Sequence, residues 1–134
     1  MALFIDRLDH LVVTASDVEE TVAWYERALG MRRETFGDGQ RLMLRWGNQK
    51  MNVRGLNETQ ESWFTGRTVA TGCHDLCFIT EAEPDDVVAH LTAEGVEIEV
   101  GPSIRPGALG SIRSVYCRDP DGNLIEISSY PSSQ

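Results

Sequence analysis

The 134-residue chain has no long hydrophobic run and few basic residues, and these two deficits exclude two classes of partner. No apolar run approaches the ~20 residues that a membrane-spanning helix needs, so we expect no membrane partner. Only 12 lysines and arginines stand against 21 aspartates and glutamates, which gives a formal net charge of -9. Because so acidic a surface repels a phosphate backbone, we expect no nucleic-acid partner.

Cysteine is also scarce, with single residues at positions 73, 77 and 117. The first residues, Met1–Arg7, are too few and too soon charged for a secretory signal. We therefore expect a cytoplasmic protein with reduced thiols that pack as small core residues. A zinc site at Cys73 and Cys77 is not expected, because their sulfurs lie too far apart on one strand and no second pair exists.

The first part of the chain, residues 6–54, has the pattern of a β-α-β-β-β unit. Leu8–Thr14 alternates as a strand does. Ser16-Asp17-Val18-Glu19 is a capping box, which predicts a helix that Gly30 ends. Three further strands are predicted at residues 31–36, 40–46 and 49–54.

The second part, residues 73–131, repeats this order after a linker at residues 55–72 that lacks periodicity. We predict a strand at 75–80, a helix from Pro84 to Gly95, a strand at 96–100, a loop at 101–110, and a hairpin of strands 112–118 and 124–130.

An internal shift of 65 positions supports a duplicated unit, because it places Leu11 on Leu76 and His10 on Asp75. We therefore predict a single α+β domain of two β-α-β-β-β modules. Each sheet packs one face on its helix, and together the modules form an open, U-shaped mixed sheet around a cleft.

Four polar residues are predicted to face this cleft by the alternation of side chains along the strands. They are His10, Asn52, Asp75 and Glu126. An imidazole with oxygen donors suits a divalent metal such as zinc, nickel, manganese, iron or cobalt, without choosing among them. The alternative is that His10 and Asp75 form a buried hydrogen-bonded pair without metal, and that Glu126 faces solvent.

Two adjacent residues, His74 and Asp75, are candidates for the metal ligand of the second module. His74 is the better ligand type, but strand alternation turns it to the opposite face from Asp75 unless a β-bulge intervenes. We take His10, Asp75 and Glu126 as the predicted ligands.

Several motifs together resemble the vicinal oxygen chelate superfamily, which includes glyoxalase I, extradiol dioxygenases, fosfomycin-resistance enzymes and bleomycin-binding proteins. They are, in chain order, Asp9–Val13, Trp24-Tyr25, Leu29–Met31, Tyr116 and Asp119–Glu126. Within the superfamily, Asp75–Glu81 and Arg105–Gly107 most resemble glyoxalase domain-containing protein 5 and bacterial virulence-protein relatives.

The resemblance implies a metal that binds two adjacent substrate oxygens, with His10 and Glu126 among its ligands. Asp75 stands where the family usually has histidine, and Asn52 stands where glyoxalase I has glutamate. Both departures change the ligand charge and argue against glyoxalase I activity itself. The resemblance also implies a homodimer, in which His10 and Glu126 come from one chain or from two.

Two further residues are candidates for contact with substrate. Tyr116 matches a tyrosine that reaches substrate in the thiol transferases, and its alternative role is core packing. Arg105 lies in the predicted 101–110 loop, which as a lid would bring it to an anionic substrate; the alternative is a solvated surface arginine. Glu126 and Tyr116 are the predicted catalytic residues, and Asn52, Tyr116 and Arg105 the predicted substrate-binding residues.

These expectations converge on a small metalloenzyme whose metal acts as a Lewis acid on a small-molecule substrate with vicinal oxygens. Isomerase or lyase chemistry is favoured. The alternatives are an extradiol ring-cleaving dioxygenase and, from another class, a metal-free protein that binds a small molecule such as an antibiotic. Metal content distinguishes the metal-free binding protein from the two kinds of enzyme. Oxygen dependence distinguishes the dioxygenase from the isomerase or lyase.

Overall fold

The computed structural model describes residues 2–38 and 40–132 of the chain and confirms the predicted order of two modules. The first module consists of β1 (His10–Ala15), α1 (Val18–Leu29), β2 (Arg32–Phe36), β3 (Arg41–Trp46) and β4 (Gln49–Gly55). The second consists of β5 (Asp75–Ile79), α2 (Pro84–Ala93), β6 (Val100–Gly107), β7 (Gly110–Arg118) and β8 (Leu124–Ser129).

Both modules form a four-stranded mixed sheet of the same topology, β1-β4-β3-β2 and β5-β8-β7-β6. In each sheet the first strand pairs in parallel with the last, and the other pairs are antiparallel. The strands that carry His10 and Asp75 are therefore equivalent edge strands, as the internal shift predicts. Among the described residues, neither helix is both long and apolar enough to cross a bilayer.

Helix α1 begins one residue later than the capping box predicts. Asp17 is the N-cap, and its Oδ1 accepts a hydrogen bond of 3.0 Å from the Glu20 amide. Ser16 instead donates from its amide and its hydroxyl to the Asp121 carboxylate of the second module. The predicted box is wrong because Asp17 caps equally well and Ser16 has a tertiary partner. Gly30 ends the helix in the left-handed conformation, with φ of 66°.

A hydrophobic core with members from both modules holds the sheets and helices together. It includes Val13, Tyr25, Leu44, Val87 and Ile125, and each of these side chains is at least nine-tenths buried. Strand alternation places the core-facing side chains on the helix-covered face of each sheet. The opposite face of each sheet, which we call its open face, carries the predicted site residues.

A buried hydrogen-bonded cluster also joins the modules. The Tyr25 hydroxyl donates to the Asp119 carboxylate at 2.7 Å. Asp119 in turn accepts from the backbone and side-chain amides of Asn123, which fixes the Asp-Pro-Asp-Gly-Asn turn before β8. The position of Glu126 on β8 thus depends on a turn that α1 of the other module holds in place.

Strand β6 occupies most of the segment that the sequence pattern predicts as a loop. The predicted strand at 96–100 is wrong except at its last residue. The prediction of a loop that acts as a lid at 101–110 is also wrong, because most of this segment is strand. Pro102 and Pro106 lie on this strand, which is at the sheet edge, the place where a missing amide donor is tolerated. The pairing with β7 shifts register between Val100 and Ser103.

The cysteines divide between surface and core. Cys117 is buried, whereas Cys73 and Cys77 are exposed, so the core prediction is correct only for Cys117. Burial raises the pKa of the Cys117 thiol to about 11, and the neighbouring Asp119 carboxylate contributes to the increase.

We expect Cys117 to make the fold less stable above about pH 9. The unfolded chain releases this proton near its ordinary pKa of 9.0, whereas the folded chain keeps it until about 11. Between those values each rise in pH therefore favours unfolding. Melting temperatures measured from about pH 8 to about pH 11 should fall less steeply for Cys117→Ala than for the wild type. Cys73→Ala, at an exposed thiol, is the control, and equal slopes for all three proteins would contradict the assignment.

Candidate functional site

Glu126 lies at the centre of β8 on the open face of the second sheet. Its Oε2 accepts a hydrogen bond of 2.5 Å from the Ser114 hydroxyl, and the Ser128 hydroxyl lies 3.4 Å from the same oxygen. Both serines are buried. Both of these oxygen–oxygen contacts involve Oε2, so the serines fix one carboxylate oxygen of Glu126 and leave Oε1 for another ligand.

Tyr116 lies directly opposite Glu126 in the β7–β8 pair. Burial raises the pKa of its phenol, and the Glu126 carboxylate raises it further, so the hydroxyl keeps its proton and serves as a donor. The Arg105 guanidinium carbon lies 5.3 Å from the centre of the Tyr116 ring. The structure thus brings three of the predicted residues, Glu126, Tyr116 and Arg105, into one cluster.

Cys77 is a fourth member of this cluster, although the residue type of a free cysteine predicts a core position. It lies opposite Glu126 in the β5–β8 pair, and its Sγ donates to the Ser128 hydroxyl at 3.4 Å. Partial burial raises the pKa of its thiol, which stays protonated at neutral pH. Alternation along β5 indicates this position correctly, because it places Cys77 on the same face as Glu126. The usual burial of free cysteine instead predicts the core.

Asp75 begins β5 and is exposed on the same open face as Glu126. The pairing of β5 with β8 runs from Asp75 to Ile79 without a register shift, so no bulge turns His74 toward this face. His74 lies just before the strand, where its amide donates to the Asn123 side-chain oxygen at 2.9 Å. Of the two open candidates, Asp75 is therefore the residue that shares a face with Glu126.

His10 and Asn52 lie on the open face of the first sheet. The His10 side chain is 43% exposed, and its Nδ1 lies 2.8 Å from the Asp9 carboxylate rather than pairing with Asp75. Asn52 is 5% exposed, and its side-chain oxygen has no hydrogen-bond partner among the described residues. A buried acceptor without a donor is costly, which makes Asn52 a candidate to bind a group from outside the chain.

A single chain does not bring the predicted metal ligands together. Within residues 2–38 and 40–132, no three histidine, cysteine, aspartate or glutamate side chains form a group that could hold a metal ion. The donor set itself suits a divalent metal, because it offers an imidazole nitrogen, two carboxylates and the unpartnered Asn52 oxygen.

The sequence profile of the Glyoxalase/Bleomycin resistance protein/Dioxygenase superfamily matches residues 7–127. The chain belongs to this superfamily. It is 44% identical over 130 residues to virulence protein STM3117 of Salmonella typhimurium, covering 96% of this chain and 87% of that protein. It is 39% identical over 132 residues to glyoxalase domain-containing protein RDO1 of Mycosarcoma maydis, covering 98% of this chain and 73% of that protein. The predicted family is thereby confirmed, and its relatives include a bacterial virulence protein and a glyoxalase domain-containing protein.

Solved structures of the glyoxalase superfamily share the architecture of this chain. An integron cassette protein from V. cholerae superposes with a TM-score of 0.92 at 44% identity, covering 98% of this chain and 100% of that one. Members of the superfamily generally use a divalent metal, bind small molecules and often form dimers.

Proposed function

We propose that two copies of this glyoxalase-superfamily chain build a divalent-metal site, in which His10 of one copy meets Asp75 and Glu126 of the other. The observation that carries the proposal is the separation of these residues within one chain. Each lies on the open face of its own sheet, yet no three ligand-type side chains in the described part of the chain form a group.

The accessible surface of the single chain supports pairing with a second copy. The chain exposes 8667 Å², whereas a folded monomer of 14.9 kDa is expected to expose about 7,000 Å². Large apolar side chains contribute to this excess, among them Leu8 at 62% exposure and Ile79 at 56%. Both line a groove of about 320 Å³ between β1 and β5, together with His10 and Cys77. A second copy that covers this region would bury the apolar surface.

The reaction that this site suits best is isomerase or lyase chemistry on a small substrate with two adjacent oxygens. A bound metal supplies Lewis acidity, which stabilises negative charge on such oxygens. Glu126 is held in one orientation by Ser114, and its carboxylate accepts a proton from one substrate carbon and, in an isomerase reaction, returns it to the adjacent carbon. Tyr116 keeps its own proton and donates a hydrogen bond to a substrate oxygen, and Arg105 supplies positive charge beside it.

We expect the purified protein to retain about one divalent ion per chain, measured by elemental analysis. It should show no oxygen uptake when catechol is supplied, because isomerase and lyase reactions consume no oxidant. Catechol-dependent oxygen uptake would favour the ring-cleaving dioxygenase. Protein that remains folded and never takes up zinc, nickel, manganese or iron would favour the metal-free binding protein.

A further inference from the structure

The chain contains a single lysine, Lys50, and it lies beside the predicted metal ligand of the first module. Lys50 is paired with His10 in the parallel ladder between β4 and β1, so both side chains project from the open face of the first sheet. Asn52 and Arg54 follow on the same face by alternation.

Lys50 belongs to a row of two cations and two aromatic rings, which we call the cation–aromatic row. Its ammonium lies 4.3 Å from the centre of the Phe36 ring. Phe36 meets Trp63 edge to face with ring centres 6.0 Å apart. The Arg41 guanidinium carbon lies 4.3 Å from the centre of the Trp63 ring. The aromatic faces hold both cations in place without neutralising them.

Among the described residues, neither cation of the row lies within ion-pair distance of a carboxylate, although the chain is strongly acidic. Seven arginines in the described residues form ion pairs with a carboxylate: Arg7, Arg27, Arg32, Arg33, Arg45, Arg113 and Arg118. Lys50 makes no such pair, and Arg41 donates only to the Ser62 carbonyl oxygen, at 2.6 Å. Arg54 adds a third unpaired cation on this face, 1% exposed and with Nη1 unpartnered.

We propose that the cation–aromatic row binds the anionic group of the substrate, a carboxylate or a phosphoryl group, while the adjacent oxygens of the substrate turn toward His10. No carboxylate of the described residues balances these positive charges by an ion pair, and a bound anion would lower the electrostatic free energy of this face. The cation–aromatic row belongs to the substrate site of the proposed function, so its role in catalysis rests on that proposal. Anion binding itself does not require the metal and is measured without it.

The single lysine allows a direct test. Reductive methylation with ¹³C-formaldehyde labels Lys50 and the N-terminal amine and keeps their charge. Chelator-treated full-length protein is then titrated with succinate, with methylphosphonate and with the neutral succinamide at constant ionic strength. We expect a saturable shift of the Lys50 methyl signal with succinate, methylphosphonate or both, and none with succinamide. A response to one anion alone identifies the group that the site takes.

Variants of Arg41 distinguish a specific anion-binding site from a non-specific effect of positive charge. Arg41→Gln should weaken the anion affinity at Lys50 about tenfold, since a hydrogen-bonded charge is lost. Arg41→Lys should retain it within about threefold, which also controls for folding. Arg67→Gln removes an exposed linker arginine and should change nothing. Shifts that do not saturate, that succinamide reproduces, or that Arg41→Gln leaves unchanged would overturn the proposal. Because the protein is metal-free, loss of the proposed metal site would not affect this result.

Discussion

Replacing Arg54 with alanine is expected to destabilise the fold by about 3 kcal/mol, a large change for a residue that lies outside the predicted site. The Arg54 side chain is 1% exposed beneath the 55–72 linker. Its Nε donates to the Trp63 carbonyl oxygen at 3.2 Å, and its Nη2 donates to the Glu58 carbonyl oxygen at 3.0 Å. Truncation leaves a cavity and removes the donor from two carbonyls, so the linker loses its attachment to the first sheet.

Arg67→Ala is the matched control for this prediction, because it removes the same charge from an exposed position of the same linker. Its effect should stay within about 0.5 kcal/mol. Urea unfolding followed by tryptophan fluorescence gives both values, since Trp63 lies against Arg54. A loss of less than about 1 kcal/mol for Arg54→Ala would show that its two carbonyl contacts contribute little.

The two-module fold could be predicted from the sequence because duplication makes two weak patterns support each other. The equivalence of Leu11 with Leu76, and of His10 with Asp75, fixes which strands correspond and which side chains share a face. Errors fell where a local signal competes with a tertiary one. Two prolines in β6 predict a loop, yet an edge strand tolerates them.

The sheet face on which each candidate residue lies could be predicted from the sequence, but the assembly of the site could not. Alternation placed Glu126 and Asp75 on one face correctly, and the cluster of Glu126 with Tyr116 follows from strand pairing. The proposed role of Lys50 could not be predicted, because its contact with Phe36 and the packing of Phe36 on Trp63 of the linker are long-range features of the fold. No local pattern in a single sequence indicates whether His10 approaches Glu126 of the same chain or of a second copy.

Glu126→Ala is expected to lower the affinity for zinc by more than about a hundredfold, because it removes a charged side chain that we propose as a ligand. Ser114→Ala keeps the carboxylate but deletes its 2.5 Å hydrogen bond, and should weaken zinc binding about tenfold. Glu61→Ala, at an exposed glutamate of the linker, should match the wild type. Competition with a chromophoric chelator measures all three affinities, and wild-type affinity in Glu126→Ala would remove this residue from the ligand set.

The proposed assembly of the site from two copies is tested most directly by combining two chains that each lack one proposed ligand. His10→Ala and Glu126→Ala chains, carrying different affinity tags, are co-expressed, and the mixed dimer is isolated through both tags. One of its two sites then has His10 from one chain and Asp75 with Glu126 from the other, all intact. We predict that each variant alone binds almost no zinc, whereas the mixed dimer binds about one ion per pair. Tags that do not copurify, or a mixed dimer that binds no zinc, would contradict a site shared between two copies.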